Sequence, residues 1–239
     1  LDFLSLEMAY IIYKKGYIMR KHIYSILVFI AFLAILYIVY SPAINNPYLF
    51  FEDYDWIWTS DYFKDGPLIT FKTALSAFLW EGRALQGIFV GPVFEYINYH
   101  KSIDATIPTR FVGLIGITLL AYVIYAIFRI NRFKTLHAFL LSISICTLPS
   151  YSVYITWLVC IGNSYSAVFS ALAALIMCNI FMRESHVDRS WSIVSVLMAI
   201  TCLTIALLIY QPTAMLYWPL ALIPIVMFEE RYSKKRWQQ

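Results

Sequence analysis

A long apolar run near the start of this 239-residue chain is followed directly by Asn45-Asn46-Pro47-Tyr48-Leu49-Phe50-Phe51-Glu52-Asp53-Tyr54-Asp55-Trp56. Glu52, Asp53 and Asp55 put three carboxylates within four residues and surround them with aromatic rings. Like charges held close together near lipid favour a carboxylate that can take a proton near neutral pH, which is the requirement for a general base. The plainer reading of the same residues is a solvated acidic loop. Asp53-x-Asp55 also offers oxygen ligands to a divalent cation. No further ligand set accompanies that pair, which makes it a weak metal signal.

Polarity interrupts an apolar stretch again at Phe78-Leu79-Trp80-Glu81-Gly82-Arg83-Ala84-Leu85. The planar guanidinium of Arg83 can grip a phosphate through two parallel hydrogen bonds, and Gly82 leaves room for a ligand or a backbone to approach. The competing reading is a turn before an interfacial helix, with Arg83 reaching up to lipid headgroups. Tyr210-Gln211-Pro212-Thr213 lies between two apolar runs, where Gln211 supplies two donors and an acceptor or simply closes a polar turn. Glu95, His100 and Asp104 match no metal spacing. His22, His137 and His186 fall at helix boundaries. Cys146, Cys160, Cys178 and Cys202 stand singly, without the spacing of a disulfide framework or a zinc site.

The elements that carry these residues follow from composition and charge. Apolar residues make up 61% of the chain and charged ones 13%, with a mean hydropathy of +0.70. These values exclude an ordinary soluble domain. The net charge of +4 does not point to nucleic acid, because the basic residues gather at the ends of apolar runs. Such runs cover residues 23–40, 111–128, 136–154, 165–182, 191–210 and 212–228, each long enough to be read as a membrane span. The first follows Lys14, Lys15, Arg20 and Lys21 and is too long for the core of a cleaved signal, so it is read as a retained helix. The chain opens on Leu1, with Met19 directly before the basic cluster, which leaves residues 1–18 as a translated leader or an incomplete end.

Placing Arg129, Arg132, Lys134, Arg183, Arg189, Arg231, Lys234, Lys235 and Arg236 on the cytoplasmic side gives six spans with both termini inside. The predicted fold is therefore all-α, one polytopic membrane domain over residues 1–239. It has a cytoplasmic segment 1–22, an extracytoplasmic first loop 41–110, a helix bundle 111–228 and a cytoplasmic tail 229–239. Residues 84–98 are expected to lie along or dip into the outer leaflet, since a crossing there would invert every later cluster. Gly87 and Gly91 form a GxxxG pair, and Ser166, Ser170 and Ala174, with Ala167 and Ala171, predict a face where another helix approaches closely.

In order and in membrane side, these segments resemble polytopic glycosyltransferases of the GT-C type, and within them the serotype-converting glucosyltransferases of bacteria and phages. The resemblance rests on Glu52, Asp53 and Asp55 after the first span, on Trp80, Gly82, Arg83 and Leu85, and on Tyr210 and Gln211 opening a span. It runs from about Ser41 to Leu222. It implies an enzyme of the bacterial cytoplasmic membrane, facing outward, that moves a sugar such as glucose from a polyprenyl-phosphate donor to a glycan acceptor such as O-antigen. Asp53, Asp55 or Glu52 would be catalytic, while Arg83, Gly82, Trp80, Trp56, Tyr210 and Gln211 would bind substrate. The acidic cluster departs from a plain Asp pair. Six spans are fewer than such enzymes usually have, which implies a missing C-terminal part or an inactive protein. The rival readings are a transporter or flippase for a lipid-linked saccharide, and a glycan polymerase or ligase.

Overall fold

The computed structural model describes residues 2–46, 48, 67–100, 102–182 and 189–236, and no strand occurs among the described residues. In chain order the helices are α1 (Asp2–Asn45), α2 (Pro67–Trp80), α3 (Ala84–His100), α4 (Thr106–Ile130), α5 (Thr135–Cys146) and α6 (Pro149–Thr156). They continue with α7 (Ile161–Met182), α8 (Arg189–Ile209), the single turn α9 (Gln211–Ala214) and α10 (Tyr217–Arg236). Short 3-10 turns at Ile103–Ala105 and Leu158–Cys160 lead into α4 and α7.

Three stretches, His22–Asn45, Ile103–Ile130 and Leu158–Met182, are long and apolar enough to cross a membrane. A fourth span exists if α5 and α6, which meet at 63°, count as one broken crossing. Ile193–Ile209 and Gln211–Met227 are shorter apolar helices. The apolar run at 136–154 is thus a bent pair, kinked at its proline. Pro149 opens α6, and the residue before a proline is pushed out of the helical region, as the Leu148 backbone is (φ −59°, ψ 142°). Large apolar side chains stay exposed along α1 (Ile26, Leu27, Ile30, Ile38), α5 (Leu136, Leu140) and α8 (Val194, Leu197, Met198). Apolar surface this continuous belongs against lipid tails, and with the span lengths it marks a membrane protein.

Helix α1 also runs past its expected end at Tyr40 and carries Pro42 to within its last turn. A proline at 42 cannot donate to the Ile38 carbonyl, but the Ser41 hydroxyl donates to it at 2.9 Å. Asn46 Nδ2 donates to the Pro42 carbonyl at 2.6 Å. The same device recurs in α10. There Pro224 leaves the Leu220 carbonyl without its helical partner, and the Cys178 thiol of α7 lies 3.8 Å from it. Proline in a membrane helix is tolerated where neighbouring side chains satisfy the freed backbone group in this way.

The main core joins α1 (Phe32, Leu36, Ile44), α4 (Leu114, Ile117, Leu120, Ile124) and α7 (Ala167, Ala171, Ala174), with Phe32 stacked on Phe139 at 4.6 Å. The small-residue face expected on α7 is where the broken α8–α9–α10 segment docks. Ser166 donates to the carbonyls of Ala206 (2.9 Å) and Tyr210 (3.1 Å), Ser170 donates to that of Ala214 (2.8 Å), and Thr213 donates to Ser166 Oγ at 2.6 Å. Small side chains let the backbones close in, and the serine hydroxyls reach carbonyls on either side of the breaks.

A second cluster joins α3 (Val90, Phe94, Ile97) to Phe78 of α2 and to Leu158 and Ile161. Here α2 and α3 form a helical hairpin packed through the GxxxG pair. A methyl group on Gly87 would stand 2.8 Å from the Leu75 Cα, and one on Gly91 would stand 2.6 Å from the Phe71 ring. Residues 84–98 are therefore the second arm of a hairpin, which the sequence alone had left as an isolated interfacial or re-entrant stretch.

Candidate functional site

The tip of the hairpin is the three-residue turn Glu81-Gly82-Arg83. The Arg83 amide donates to the Phe78 carbonyl (2.7 Å) and the Gly82 amide to that of Leu79 (3.1 Å), while Gly82 takes φ +73°. This crossed pair of bonds around a left-handed residue is the Schellman ending of a helix, and glycine is the residue that adopts it without strain. The turn reverses the chain abruptly and fixes where the Arg83 side chain starts.

Arg83 then meets a residue 127 positions later in the chain. Its guanidinium carbon lies 4.9 Å from the centre of the Tyr210 ring, and its Nη1 lies 3.2 Å from Glu81 Oε2. A methyl group on Gly82 would point towards Gln211 Nε2, 4.0 Å away. Gly82, Arg83, Tyr210 and Gln211, four of the residues expected to bind substrate, therefore stand together. Tyr210 is positioned by the break between α8 and α9, where it adopts extended backbone (φ −160°, ψ 109°) and Ser166 and Thr213 hold its carbonyl.

The electrostatics suit an exchangeable anion. Arg83 and Glu81 are 32% and 49% exposed, and an ion pair at that exposure contributes no more than about 1 kcal/mol. A phosphate offering two oxygens to the guanidinium plane can displace the carboxylate. Arg83 Nε is shielded from solvent and has no hydrogen-bond partner among the described residues.

Trp80 stands apart from this group. It is 90% exposed and, with Lys72, Leu75, Ser76 and Leu79, lines a shallow groove along the outer face of α2. Glu52, Asp53, Asp55 and Trp56 lie outside the described residues. Among the described residues, no three His, Cys, Asp or Glu side chains converge as metal ligands.

Two further polar residues had not been singled out. Gln86, one helical turn after Arg83, is 1% exposed and donates from Nε2 to the Val159 carbonyl at 2.9 Å. A glutamine on the buried face of an apolar helix is a signal that sequence reading can find. Arg110 is the other. It is fully buried, donates from Nη1 to the carbonyls of Ala43 (2.8 Å) and Asn46 and from Nη2 to that of Tyr48, and lies 4.0 Å from the Tyr48 ring. The last turn of α1 holds no basic residue of its own, so Arg110 supplies in space the cation that a helix C-terminus favours. The chain clamped at Tyr48 is the one that runs on into Glu52, Asp53 and Asp55. No family model, curated protein or solved structure matches this chain.

Proposed function

We propose that the chain is a membrane glycosyltransferase that takes a sugar, glucose by the resemblance, from a polyprenyl-phosphate donor and places it on a surface glycan outside the bacterial cytoplasmic membrane. In this reading the chain crosses six times, with both termini in the cytoplasm and residues 41–110 outside. The observation that carries it is the meeting of Arg83 with the Tyr210 ring at 4.9 Å, which joins two distant segments of the resemblance around one exchangeable cation.

The chemistry is an exchange at the anomeric carbon. Asp53, with Asp55 and Glu52 as the neighbouring carboxylates, takes the proton of an acceptor hydroxyl as its oxygen bonds to the anomeric carbon. The bond from that carbon to the phosphate oxygen breaks, and its electron pair leaves with the polyprenyl phosphate. Arg83 stabilises the charge gathering there. Gly82 leaves space for the phosphate, Tyr210 and Gln211 flank it, and Trp56 and Trp80 offer aromatic faces to sugar or lipid. The lipid phosphate leaves readily, so no metal is needed at Asp53 and Asp55.

The test is mass spectrometry of surface glycans from cells with the gene, without it, and with variants at equal membrane abundance. Deletion should remove one hexose. Arg83→Ala should do the same, with Arg83→Lys intermediate because it keeps the charge but loses the planar fork. Asp53→Asn or Asp55→Asn should slow transfer by about 10² to 10⁴. Unchanged glycans in all of these variants would refute transfer by this site, and loss of the whole glycan on deletion would favour export or polymerisation instead.

A further inference from the structure

Beneath Arg83 lies a polar group that the fold leaves unsatisfied. Gln86 is 1% exposed, and its amide nitrogen is committed to the Val159 carbonyl at 2.9 Å. A carbonyl can be met only by the donor end of an amide, so this bond fixes which end of Gln86 is which. The other end, Oε1, is shielded from solvent and has no hydrogen-bond partner among the described residues. Buried acceptors of this kind are rare in native proteins, because leaving one unmet forfeits a hydrogen bond that water gave it in the unfolded chain.

Its surroundings are those of the Arg83 site. A methyl group on Gly162 would meet Gln86 Cγ at 3.5 Å and Ile209 Cγ2 at 3.7 Å, so Gln86 and the residue that precedes Tyr210 both face this glycine. Arg83 immediately precedes α3, and the Gln86 amide donates to its carbonyl at 2.9 Å, so the two share the first turn. Thus an unmet donor, Arg83 Nε, and an unmet acceptor, Gln86 Oε1, sit one helical turn apart next to the same break between α8 and α9.

We infer that Gln86 is a substrate-contacting residue whose Oε1 accepts a hydrogen bond from one hydroxyl of the sugar while Arg83 holds the adjoining phosphate. This rests on the glycosyl-phosphate reading of the site and adds to it the group that distinguishes a sugar-bearing lipid from the bare carrier. Both atoms are covered in this conformation. The ligand enters as Arg83, the partly exposed side chain of the two, releases Glu81 and turns to the phosphate. A phosphate alone satisfies only Arg83, whereas a phosphate with a sugar attached satisfies both, so the preference for the sugar-bearing form belongs to Gln86.

The experiment is native mass spectrometry of the full chain in lipid nanodiscs, titrated with polyprenyl phosphate and, separately, with polyprenyl phosphoglucose. Wild type should retain the glucosylated lipid at about tenfold lower concentration, as expected for one hydrogen bond to a group otherwise left unmet. Gln86→Met, similar in length and without the acceptor, should bind the two lipids alike. Because that variant also strips a donor from Val159 and can misfold, wild type is tested in parallel against the series of monodeoxyglucose lipids. One deoxy position should abolish the preference, and a folded Gln86→Met should lose nothing further at that position. Equal wild-type binding of bare and glucosylated lipid would overturn the role of Gln86, as would a preference that survives Gln86→Met. Failure of the phosphate reading is seen separately, as binding of both lipids that is unaffected by Arg83→Ala.

Discussion

At the scale of single residues, the two arginines illustrate opposite uses of one side chain. Arg83 is one-third exposed, with a carboxylate and a ring beside it and room to change partners. Arg110 is wholly enclosed and bound to three backbone carbonyls, which makes it a fixed part of the structure. Replacing Arg110 by Met would leave the carbonyls of Ala43, Asn46 and Tyr48 without this donor. Hydrogen bonds from a charged donor contribute about 1.5–3 kcal/mol each, so the variant should melt well below wild type in a detergent unfolding assay. Arg110→Lys should fall between them, because an ammonium cannot span three carbonyls in fixed directions. Arg83→Ala should melt close to wild type, since its exposed ion pair contributes little. The sequence showed both residues as cations beside apolar runs. Arg83 was legible because glycine and aromatic residues accompany it, whereas the partners of Arg110 are main-chain oxygens, which leave no mark in a string of side chains. Gln86 was overlooked for a related reason. Its significance lies in an acceptor that nothing meets, and an unmet group is visible only once its neighbours are in place.

At the scale of elements, the hairpin and the broken segment were readable to different degrees. The GxxxG pair and the serine and alanine face of α7 act as packing surfaces, as their spacing predicts, because small residues at helical repeat leave the same gap whatever fills it. The partner each would take was not legible. The break at Tyr210 was legible as the polar turn between two apolar runs, whereas the angle between α5 and α6 is not written in an apolar count. The hairpin carries its own test. A methyl group on Gly87 meets the backbone of α2, which cannot yield without moving the helix, whereas one on Gly91 meets the Phe71 ring, which can turn. Gly87→Ala should therefore destabilise by about 1–3 kcal/mol and Gly91→Ala by less. Protease sensitivity of the hairpin in purified protein would rank the two, and equal sensitivity would mean that the arms are not packed at Gly87.

At the scale of the whole molecule, the proposed topology sets where the membrane lies against these helices. In the proposed six-span topology the hairpin remains on the outer side. Single cysteines in place of Ser60 and Ser102, in a chain lacking the four native cysteines, should both react with an impermeant thiol reagent applied from outside. Labelling of Ser102→Cys only after permeabilisation would mean that the chain crosses between the two positions, and the later spans would be inverted. The spans themselves were legible where an unbroken helix is long and apolar enough to cross, as in α1, α4 and α7, and less so from α8 onwards, where the helices shorten around two breaks.

The clamp at Arg110 also has a consequence for biogenesis. Its guanidinium joins the end of α1 to the start of α4 across 67 positions of sequence, turning the intervening stretch from an open strand into a closed ring. During synthesis, α1 enters the bilayer long before Arg110 leaves the ribosome, so over that interval nothing from α4 directs the chain beyond Tyr48. Ring closure comes only when the second long span takes its place beside the first. A half-inserted chain therefore lacks the bonds from Arg110 to the carbonyls of Ala43, Asn46 and Tyr48, and the end of α1 is secured only after the first two long spans have met.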